Sequence, residues 1–476
     1  MAGVAARAVA RWSAGFAVRA AAAVALAAAL ARPVGSQEVT AAQIDSIVRR
    51  AVAEKGIVGL SVGVMRDGRV ILARGYGVRD RTTNDSVTTR TMFAIGSVTK
   101  QFTCSLLLML ADEHRLSLTD PVAKYNPRLT RAKDITLLDV GGHLSGYRDY
   151  YPLDFVDREM QKPQPPDAII TEYATRPLDF EPRSRYSYSN TGFLILGRVI
   201  EQVTGKPYGK FLGERILTPL KLTRTAFEPA AGPDMAKGYT SFGLSEPIPA
   251  DPEAAGWAGA AGAIWSTPTD LLTWDLALID HKLISQDSYR VLLTPQRLTD
   301  GRTSGYSCGE GVNDRGPALV LSHGGAVSGF VAQNTVIPAT HSAVVLLSNT
   351  DFSPIGALNQ ELVAKLMPKS PDVPTIAGRS ALDAATKFLT ELERGTVDRT
   401  TLGEDFNEFL SADKVRRGQA ALNALGKIGN VRIAATAERG GMEVATVLFD
   451  VGKTPSRGLM YRMPNGKIEE FLFARN

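Results

Sequence analysis

A serine and a lysine three residues apart are the first side chains in this chain whose spacing could perform covalent chemistry. Ser97 and Lys100 both lie in the run FAIGSVTK, residues 93–100, and residues three apart on a helix share one face. A serine hydroxyl is a weak nucleophile until a base takes its proton, and a lysine amine does so when burial or nearby cations keep it neutral. The pair taken alone is equally compatible with a helix-capping serine beside an unrelated lysine.

The residues after this pair predict the element that would position it. Residues 101–110 are apolar on nearly every side, so a helix from residue 97 to about residue 114 should be buried in the core. The N-terminus of that helix would offer free N–H groups and the positive end of the helix dipole. Both would stabilise an oxyanion that develops beside Ser97.

Two later stretches place polar side chains beside glycine or apolar residues. Tyr188 and Asn190 are separated by one serine, and His323 is followed directly by Gly324 and Gly325. Each has an ordinary structural interpretation when it is considered singly. A lone tyrosine is more often a core residue that bonds through its hydroxyl, and a lone histidine is more often structural.

Taken together, these three stretches resemble the motifs of the serine β-lactamase and penicillin-binding-protein superfamily. The branch with class C β-lactamases, D-amino peptidases and related esterases carries S-x-x-K, then Y-x-N, then a third motif of K-T-G, H-x-G or W-G-G type on a strand. All three occur here in that order. Over about residues 40–367, further segments resemble the same family: HLSG at 143–146, FEPRSRYSYSN at 180–190, GAAG at 259–262 and STPTDL at 266–271.

The resemblance implies acyl transfer through a covalent ester on Ser97. The substrate would be an ester, a D-amino-acid peptide or amide, or, more weakly, a β-lactam. Lys100 and Tyr188 would share the proton transfers, with nearby ammonium groups favouring the phenolate of Tyr188. Asn190 would hydrogen-bond both Lys100 and a substrate amide. The alternative is a non-catalytic binding or scaffold protein that retains the fold.

The third motif would complete the site implied by the resemblance. The backbone N–H groups of Ser97 and Ala326 would form an oxyanion hole, and Gly324 and Gly325 would let a substrate approach the strand closely. In penicillin-recognising members a lysine in this motif helps to hold the substrate carboxylate. Because His323 stands in its place and is neutral or partly charged near pH 7, esterase or peptidase activity is favoured over β-lactam hydrolysis.

The pattern of elements around these motifs predicts an α+β fold. A helix is predicted at 41–54 and a β-hairpin at 59–77 around an Asp67-Gly68 turn. Helices are also predicted at 191–204, 267–280 and 355–366, and strands at 320–326, 333–337 and 341–349. Strands near both ends of this span predict one sheet whose first and last strands are distant in sequence. The resemblance implies the β-lactamase/transpeptidase type, an antiparallel sheet flanked by helices.

Four segments are predicted along the 476 residues. Residues 1–36 resemble a signal peptide, because arginines at 7, 11 and 19 precede the apolar run 20–31. Residues 37–368 would form the serine hydrolase domain, 369–379 a linker, and 380–476 a small α+β C-terminal domain. We therefore expect a periplasmic or secreted protein without a membrane span after signal removal. A retained N-terminal anchor is the alternative.

Composition excludes some partners and leaves others open. The net charge is +5, and no dense basic cluster is interleaved with aromatic residues, so nucleic-acid binding has no support. The five histidines show no metal-ligand spacing, and neither a metal nor a cofactor is predicted. Cys104 and Cys308 are predicted to be two separate buried thiols rather than a bridge. The expected partner is a small-molecule or peptide substrate, and the oligomeric state is left open.

Overall fold

The computed structural model describes residues 39–153, 155–242, 245–314, 318–351, 353–367 and 373–475. The predicted signal peptide at 1–36 and part of the predicted linker lie outside the described residues. The chain divides into two compact units. Of the described residues, the first unit contains those up to Gly311 together with Ser322–Val336 and His341–Leu366, and the second contains those within Val312–Leu321, Ile337–Thr340 and the segment from Met367 onward.

The part of the chain that precedes Met367 contributes ten α-helices and twelve strands among the described residues. Its helices are α1 Ala41–Lys55, α2 Thr99–Asp112, α3 Leu137–Gly141, α4 Pro166–Ala174, α5 Asn190–Thr204, α6 Tyr208–Leu212, α7 Gly259–Gly262, α8 Pro268–Ile279, α9 Gln286–Leu293 and α10 Ile355–Leu366. Its strands are β1 Gly59–Arg66, β2 Arg69–Asp80, β3 Asp85–Ser86, β4 Phe93–Ala94, β5 Ala226–Phe227, β6 Tyr239–Thr240, β7 Ile248–Pro249, β8 Ile264–Ser266, β9 Gly311–Asn313, β10 Val320–Val327, β11 Phe330–Ile337 and β12 Ser342–Ser348.

A seven-stranded sheet joins the two ends of this region. Its strand order is β3-β2-β1-β12-β11-β10-β9. Strand β1 pairs antiparallel with β2 and also with β12, where Leu60 lies opposite Ser348 and Met65 opposite Ala343. The predicted α+β class is therefore confirmed, as is the pairing of strands that are distant in sequence.

Helices cover this sheet because its central strands are apolar on both faces. Strand β1 is buried along all but its last residue, and β12 is buried throughout. Helix α8 packs on β1 and β12, and a Cβ atom at Gly63 would lie 2.8 Å from the Cβ of Pro268. The absence of a side chain at Gly63 therefore lets α8 approach the sheet closely enough to exclude water.

Helix α2 is the buried helix that the sequence predicts. Every residue from Thr99 to Leu110 is buried, because α5, α7 and α9 pack around it. Its α-helical hydrogen bonding begins at Thr99, while Ser97 lies in a preceding 3₁₀ turn, Gly96–Val98. The predicted start was thus slightly early, and the tighter turn places Ser97 at the exposed end of a rigid element.

Cys104 of α2 forms a disulfide with Cys308, so the prediction of two separate thiols was wrong. Their Cα atoms lie 5.6 Å apart, within the range that a disulfide needs. A Cβ atom at Gly141 would lie 2.7 Å from the Cys308 sulfur, so this glycine leaves the room that the bridge occupies. A separation of 204 residues conceals such a pair in the sequence.

The C-terminal unit has helices first and then an antiparallel sheet. Its helices are α11 Ala381–Arg394, α12 Glu404–Phe409 and α13 Ala412–Leu425, and its strands are β13 Ile428–Arg439, β14 Met442–Val451, β15 Thr454–Arg462 and β16 Ile468–Arg475. The four strands pair in chain order around a core that includes Phe388, Phe449 and Phe471. Among the described residues of the whole chain, no helix has both the length and the apolarity that a bilayer span requires.

Candidate active site

Ser97 lies at the entrance to α2 and is partly exposed. Gly96, the residue before it, has a φ of +50°, a left-handed conformation that favours glycine. A Cβ atom at Gly96 would also lie 2.8 Å from the backbone nitrogen of Ala326. The turn that presents Ser97 therefore depends on glycine for both its conformation and its packing.

Lys100 is fully buried below Ser97, and three oxygen atoms surround its amine. Its Nζ donates to Ser97 Oγ at 2.9 Å, to Asn190 Oδ1 at 2.8 Å and to the backbone oxygen of Ala261 at 2.8 Å. The same Nζ lies 4.9 Å from the centroid of the Tyr188 ring. These contacts hold the amine in one position beside the serine hydroxyl.

Burial brings the lysine close to neutrality at physiological pH. The pKa of Lys100 is lowered to about 7, because desolvation of the ammonium outweighs the opposing attraction of the Asp149 carboxylate. About half of the Lys100 side chains would therefore be neutral at pH 7. A neutral amine hydrogen-bonded to Ser97 Oγ is able to accept the proton of that hydroxyl.

Tyr188 lies near the same hydroxyl but in a different protonation state from the one predicted. Proximity to Ser97 favours its phenolate, yet burial is the larger effect and raises the pKa of Tyr188 well above its usual value. Its hydroxyl makes no well-formed hydrogen bond with any described residue. The expectation of a phenolate was wrong because desolvation outweighs the interaction with Ser97, so Tyr188 is a neutral phenol.

His323 of β10 is buried and neutral. Its Nδ1 lies 2.5 Å from the backbone oxygen of Gly324, which requires a proton on that nitrogen, and its Nε2 accepts from Tyr306 Oη at 2.7 Å. Burial, reinforced by the charge of Lys100, lowers the pKa of His323 to about 3. The residue in the third motif is therefore uncharged throughout the physiological range.

The strand that carries His323 is in backbone contact with the Ser97 turn. A Cβ atom at Gly325 would lie 2.0 Å from the oxygen of Ile95 and 3.1 Å from the nitrogen of Ser97. Gly325 is thus needed for the packing of this strand on the turn, whereas Gly324 is exposed. This packing brings Ala326 close to Ser97. The backbone N–H groups of these two residues are predicted to form an oxyanion hole.

Asp149 is a residue of the site that the sequence analysis missed. Its Oδ1 accepts from the backbone nitrogen of Asn190 at 2.9 Å and of Tyr151 at 3.2 Å, and its Oδ2 accepts from Asn190 Nδ2 at 3.3 Å. The carboxylate therefore directs the amide oxygen of Asn190 toward Lys100. An acidic residue six positions after His143 has no distinctive spacing, so no sequence signal identified it.

His143 lies behind Tyr188. Its Nδ1 accepts from the backbone nitrogen of Ser189 at 3.0 Å, and its ring centroid lies 4.2 Å from that of Tyr188. Tyr306, which the sequence analysis also missed, packs against the His143 ring, and its hydroxyl donates a hydrogen bond to His323 Nε2. These aromatic contacts fix the direction of the Tyr188 ring.

A narrow cleft opens onto Ser97. Its wall includes Asn190, Glu253, Trp257 and Ala326. A larger surface groove lined by residues such as Tyr125 and Arg198 contains none of the predicted catalytic residues. Ser97 and Asn190 therefore line the smaller of these two cavities.

Comparison with known proteins agrees with this arrangement. The family model described as Beta-lactamase matches residues 44–366, about two thirds of the chain. The chain belongs to the Beta-lactamase family. The predicted resemblance to the serine β-lactamase and penicillin-binding-protein superfamily is thereby confirmed.

Two proteins similar to this chain are named as hydrolases. The teichoic acid D-alanine hydrolase of Staphylococcus aureus strain MRSA252 is 35% identical over 235 residues, which are 47% of this chain and 55% of that protein. The match thus spans little more than half of the relative's length. A D-stereospecific amidohydrolase from Streptomyces sp. is 26% identical with a TM-score of 0.59, over 68% of this chain and 98% of the other.

One solved structure resembles nearly the whole chain. The octameric penicillin-binding protein homologue from Pyrococcus abyssi has a TM-score of 0.60 and covers 92% of this chain and 96% of its own. Its sequence identity is 20%, so the likeness concerns the fold alone. The combination of a β-lactamase-type region and a C-terminal module therefore occurs in another protein.

Proposed function

We propose that this protein is an exported serine hydrolase that forms an acyl-enzyme on Ser97 and releases a D-aminoacyl group from an ester or an amide. The observation that carries the proposal is the buried Lys100 amine, 2.9 Å from Ser97 Oγ and bonded to Asn190 Oδ1. This contact joins the nucleophile to a base whose pKa is lowered to about 7. The roles of the remaining predicted residues are part of the same proposal.

In the first half of the reaction, neutral Lys100 takes the hydroxyl proton of Ser97 as the oxygen attacks the substrate carbonyl carbon. The carbonyl oxygen gains negative charge, which the N–H groups of Ser97 and Ala326 stabilise. Collapse of this intermediate breaks the bond to the leaving group. The leaving group takes the proton from the Lys100 ammonium through the neutral hydroxyl of Tyr188.

In the second half, water replaces the leaving group and the same residues work in reverse. Lys100 and Tyr188 remove a proton from the water as it attacks the Ser97 ester. The carboxylic acid departs and Ser97 recovers its proton, so each turnover consumes one water. Tyr188 acts as a relay rather than as a phenolate base, in accordance with its raised pKa.

The choice of D-aminoacyl substrates is supported by the names of two relatives and by the third motif. A relative 35% identical is named for hydrolysis of teichoic acid D-alanine and another 26% identical for D-stereospecific amide hydrolysis. A neutral His323 offers no charge to a β-lactam carboxylate, so β-lactam hydrolysis would be weak.

Export is supported by two features of the sequence and the structure. The segment 1–36, outside the described residues, has the pattern of a signal peptide. The Cys104–Cys308 disulfide is typical of a protein that folds in an oxidising compartment such as the periplasm or the cell exterior. A cell-fractionation experiment would test this part of the proposal separately.

Mass spectrometry of the intact protein tests the covalent step. Wild type treated with a fluorophosphonate should gain one adduct on the peptide that contains Ser97, and Ser97→Ala should gain none. Ser105→Ala is the matched control, because Ser105 is a buried serine of the same helix whose hydroxyl bonds the backbone oxygen of Gln101. Equal labelling of wild type and Ser97→Ala would refute the proposal, and inertness of wild type toward probe, esters and D-amides would favour a scaffold.

A further inference from the structure

The wall of the cleft that contains Ser97 has an unbalanced charge. Among the lining side chains that the structure describes, Glu253 carries the one carboxylate, and none is a lysine, arginine or histidine. Lys100 lies beneath this wall with none of its surface exposed, and its amine is enclosed by three oxygen atoms. A substrate that enters the cleft therefore meets a negative charge.

Glu253 is held in a defined position in the wall of the cleft. Its Oε1 accepts from the backbone nitrogen of Ser328 at 2.9 Å and from Tyr151 Oη at 2.9 Å. Ser328 follows Ala326 by two residues, so the carboxylate is tied to the chain segment that carries the predicted oxyanion hole. Its other oxygen, Oε2, receives no hydrogen bond from the part of the chain that the structure describes.

The polar side chains of Asp149 and His323, which lie near the same site, already have hydrogen-bond partners within the protein. Three donors from Asn190 and Tyr151 surround the carboxylate of Asp149, which fits a positioning role for that residue. His323 bonds Tyr306 and Gly324 through its two ring nitrogens. Glu253 Oε2 is thus the carboxylate oxygen of the cleft wall that stays available to a substrate beside Ser97.

We propose that Glu253 binds the α-ammonium group of an aminoacyl substrate whose carbonyl carbon is attacked by Ser97. This inference rests on the proposed function and assigns its preference for aminoacyl groups to one residue. An ammonium would neutralise the charge of the cleft wall and complete the hydrogen bonding of Oε2. An acyl group with a free carboxylate would be repelled by the same oxygen.

Paired esters test the inference, because the D-alanyl and D-lactyl esters of one alcohol differ by an ammonium in place of a hydroxyl. Wild type should prefer the D-alanyl ester. Glu253→Gln should lower kcat/KM for the D-alanyl ester roughly 10- to 100-fold, mainly through KM, and should change the D-lactyl reaction less than about twofold. An equal loss for both esters, or none for either, would overturn the inference while the hydrolase proposal stands.

Asp251→Asn is the matched control, because Asp251 is an exposed carboxylate two residues away in the same segment. It removes the same charge outside the cleft and should leave both reactions unchanged. If Asp251→Asn reproduces the effect of Glu253→Gln, a diffuse field rather than a contact is responsible and the inference fails. Absence of any acylation of wild-type Ser97 by either ester would refute the proposed function, and this inference with it.

A measurement on wild type avoids the risk that Glu253→Gln does not fold. An α-amino group loses its proton near pH 7.7–8.0, whereas the lactyl hydroxyl does not titrate there. The ratio of kcat/KM for the D-alanyl and D-lactyl esters should therefore fall as the pH rises from about 6.5 to about 9. A ratio that stays constant over this range would contradict recognition of the ammonium.

Discussion

Asp275 lies in a buried polar network that contacts α2, and its replacement by asparagine should stabilise the protein. Asn334 Nδ2 donates to Asp275 Oδ1 at 2.7 Å and to Gln101 Oε1 at 3.1 Å, and Gln101 Nε2 donates to Glu310 Oε2 at 3.0 Å. Gln101 directly follows Lys100 in α2. Asp275 Oδ2 and Asn334 Oδ1 lack partners among the described residues, as expected if a proton on Asp275 joins them.

Burial raises the pKa of Asp275 from 3.8 to about 8. The folded protein therefore keeps a proton on this carboxyl that the unfolded chain releases above pH 3.8. At about 1.36 kcal/mol per pKa unit, holding the proton at pH 7 costs about 4 kcal/mol of the free energy of unfolding. The cost disappears as the pH falls toward 4, so this group stabilises the fold at low pH and destabilises it as the pH rises toward 8.

Asparagine keeps the shape of the acid and its pairing with Asn334 but does not titrate. At pH 7.5 we expect Asp275→Asn to unfold with a free energy higher by a few kcal/mol, at most about 5 and less by any hydrogen bond that the amide makes poorly. Between pH 7.5 and 5.5 the wild type should gain about 2–3 kcal/mol relative to the variant. The advantage of the variant should thus shrink as the solution becomes more acidic.

Urea unfolding followed by tryptophan fluorescence measures this difference. Trp257, Trp265 and Trp274 all belong to the first unit, so their signal reports the unit that contains Asp275. Asp287→Asn is the control, since Asp287 is an exposed carboxylate, and it should preserve the wild-type pH dependence. A difference between wild type and Asp275→Asn that is constant from pH 5.5 to 7.5 would show that Asp275 is ionised in the folded protein and refute the reasoning.

Three further predictions concern the catalytic helix and its neighbours. Because the pKa of Lys100 is lowered to about 7, kcat/KM for the non-titrating D-lactyl ester should rise with pH to a plateau with an apparent pKa near 7, and a flat profile from pH 5.5 to 8.5 would contradict a lysine base. Asp149→Asn removes the charge that raises the pKa of Lys100, so the acidic limb of that profile should move to lower pH while kcat falls. A loss of kcat with an unmoved limb would deny the electrostatic part of this role. Replacing Cys104 and Cys308 by serine should lower the free energy of unfolding by about 2–4 kcal/mol, and an unchanged urea midpoint would show that the bridge contributes nothing.

Much of the fold follows from local patterns in the sequence. The predicted hairpin, the helix at 191–204 and the closing helix at 355–366 agree with β1–β2, α5 and α10 to within a few residues. These agreements arise because an Asp-Gly turn, a capping serine and a periodic apolar stripe act over short distances. The start of α2 was less accurate, since the local spacing does not distinguish a 3₁₀ turn from the first turn of an α-helix.

The candidate site was predictable where motifs carried it. Ser97, Lys100, Tyr188 and Asn190 were singled out by type and spacing, and the fold brings them together. Their catalytic roles stay predictions. Asp149, Glu253 and Tyr306 were missed because each belongs to a different loop and has no characteristic neighbour in the sequence.

The sequence by itself determined which chemical groups this protein possesses and which family it belongs to. Tertiary structure decided their states: Tyr188 is a neutral phenol, Lys100 an amine close to neutrality, and the two cysteines a bridge. The physical reason is that motifs record local geometry, whereas desolvation, hydrogen-bond partners and sulfur–sulfur distances depend on atoms supplied by remote segments. A pKa or a disulfide is a property of the packed surroundings, and those exist only once the chain has folded.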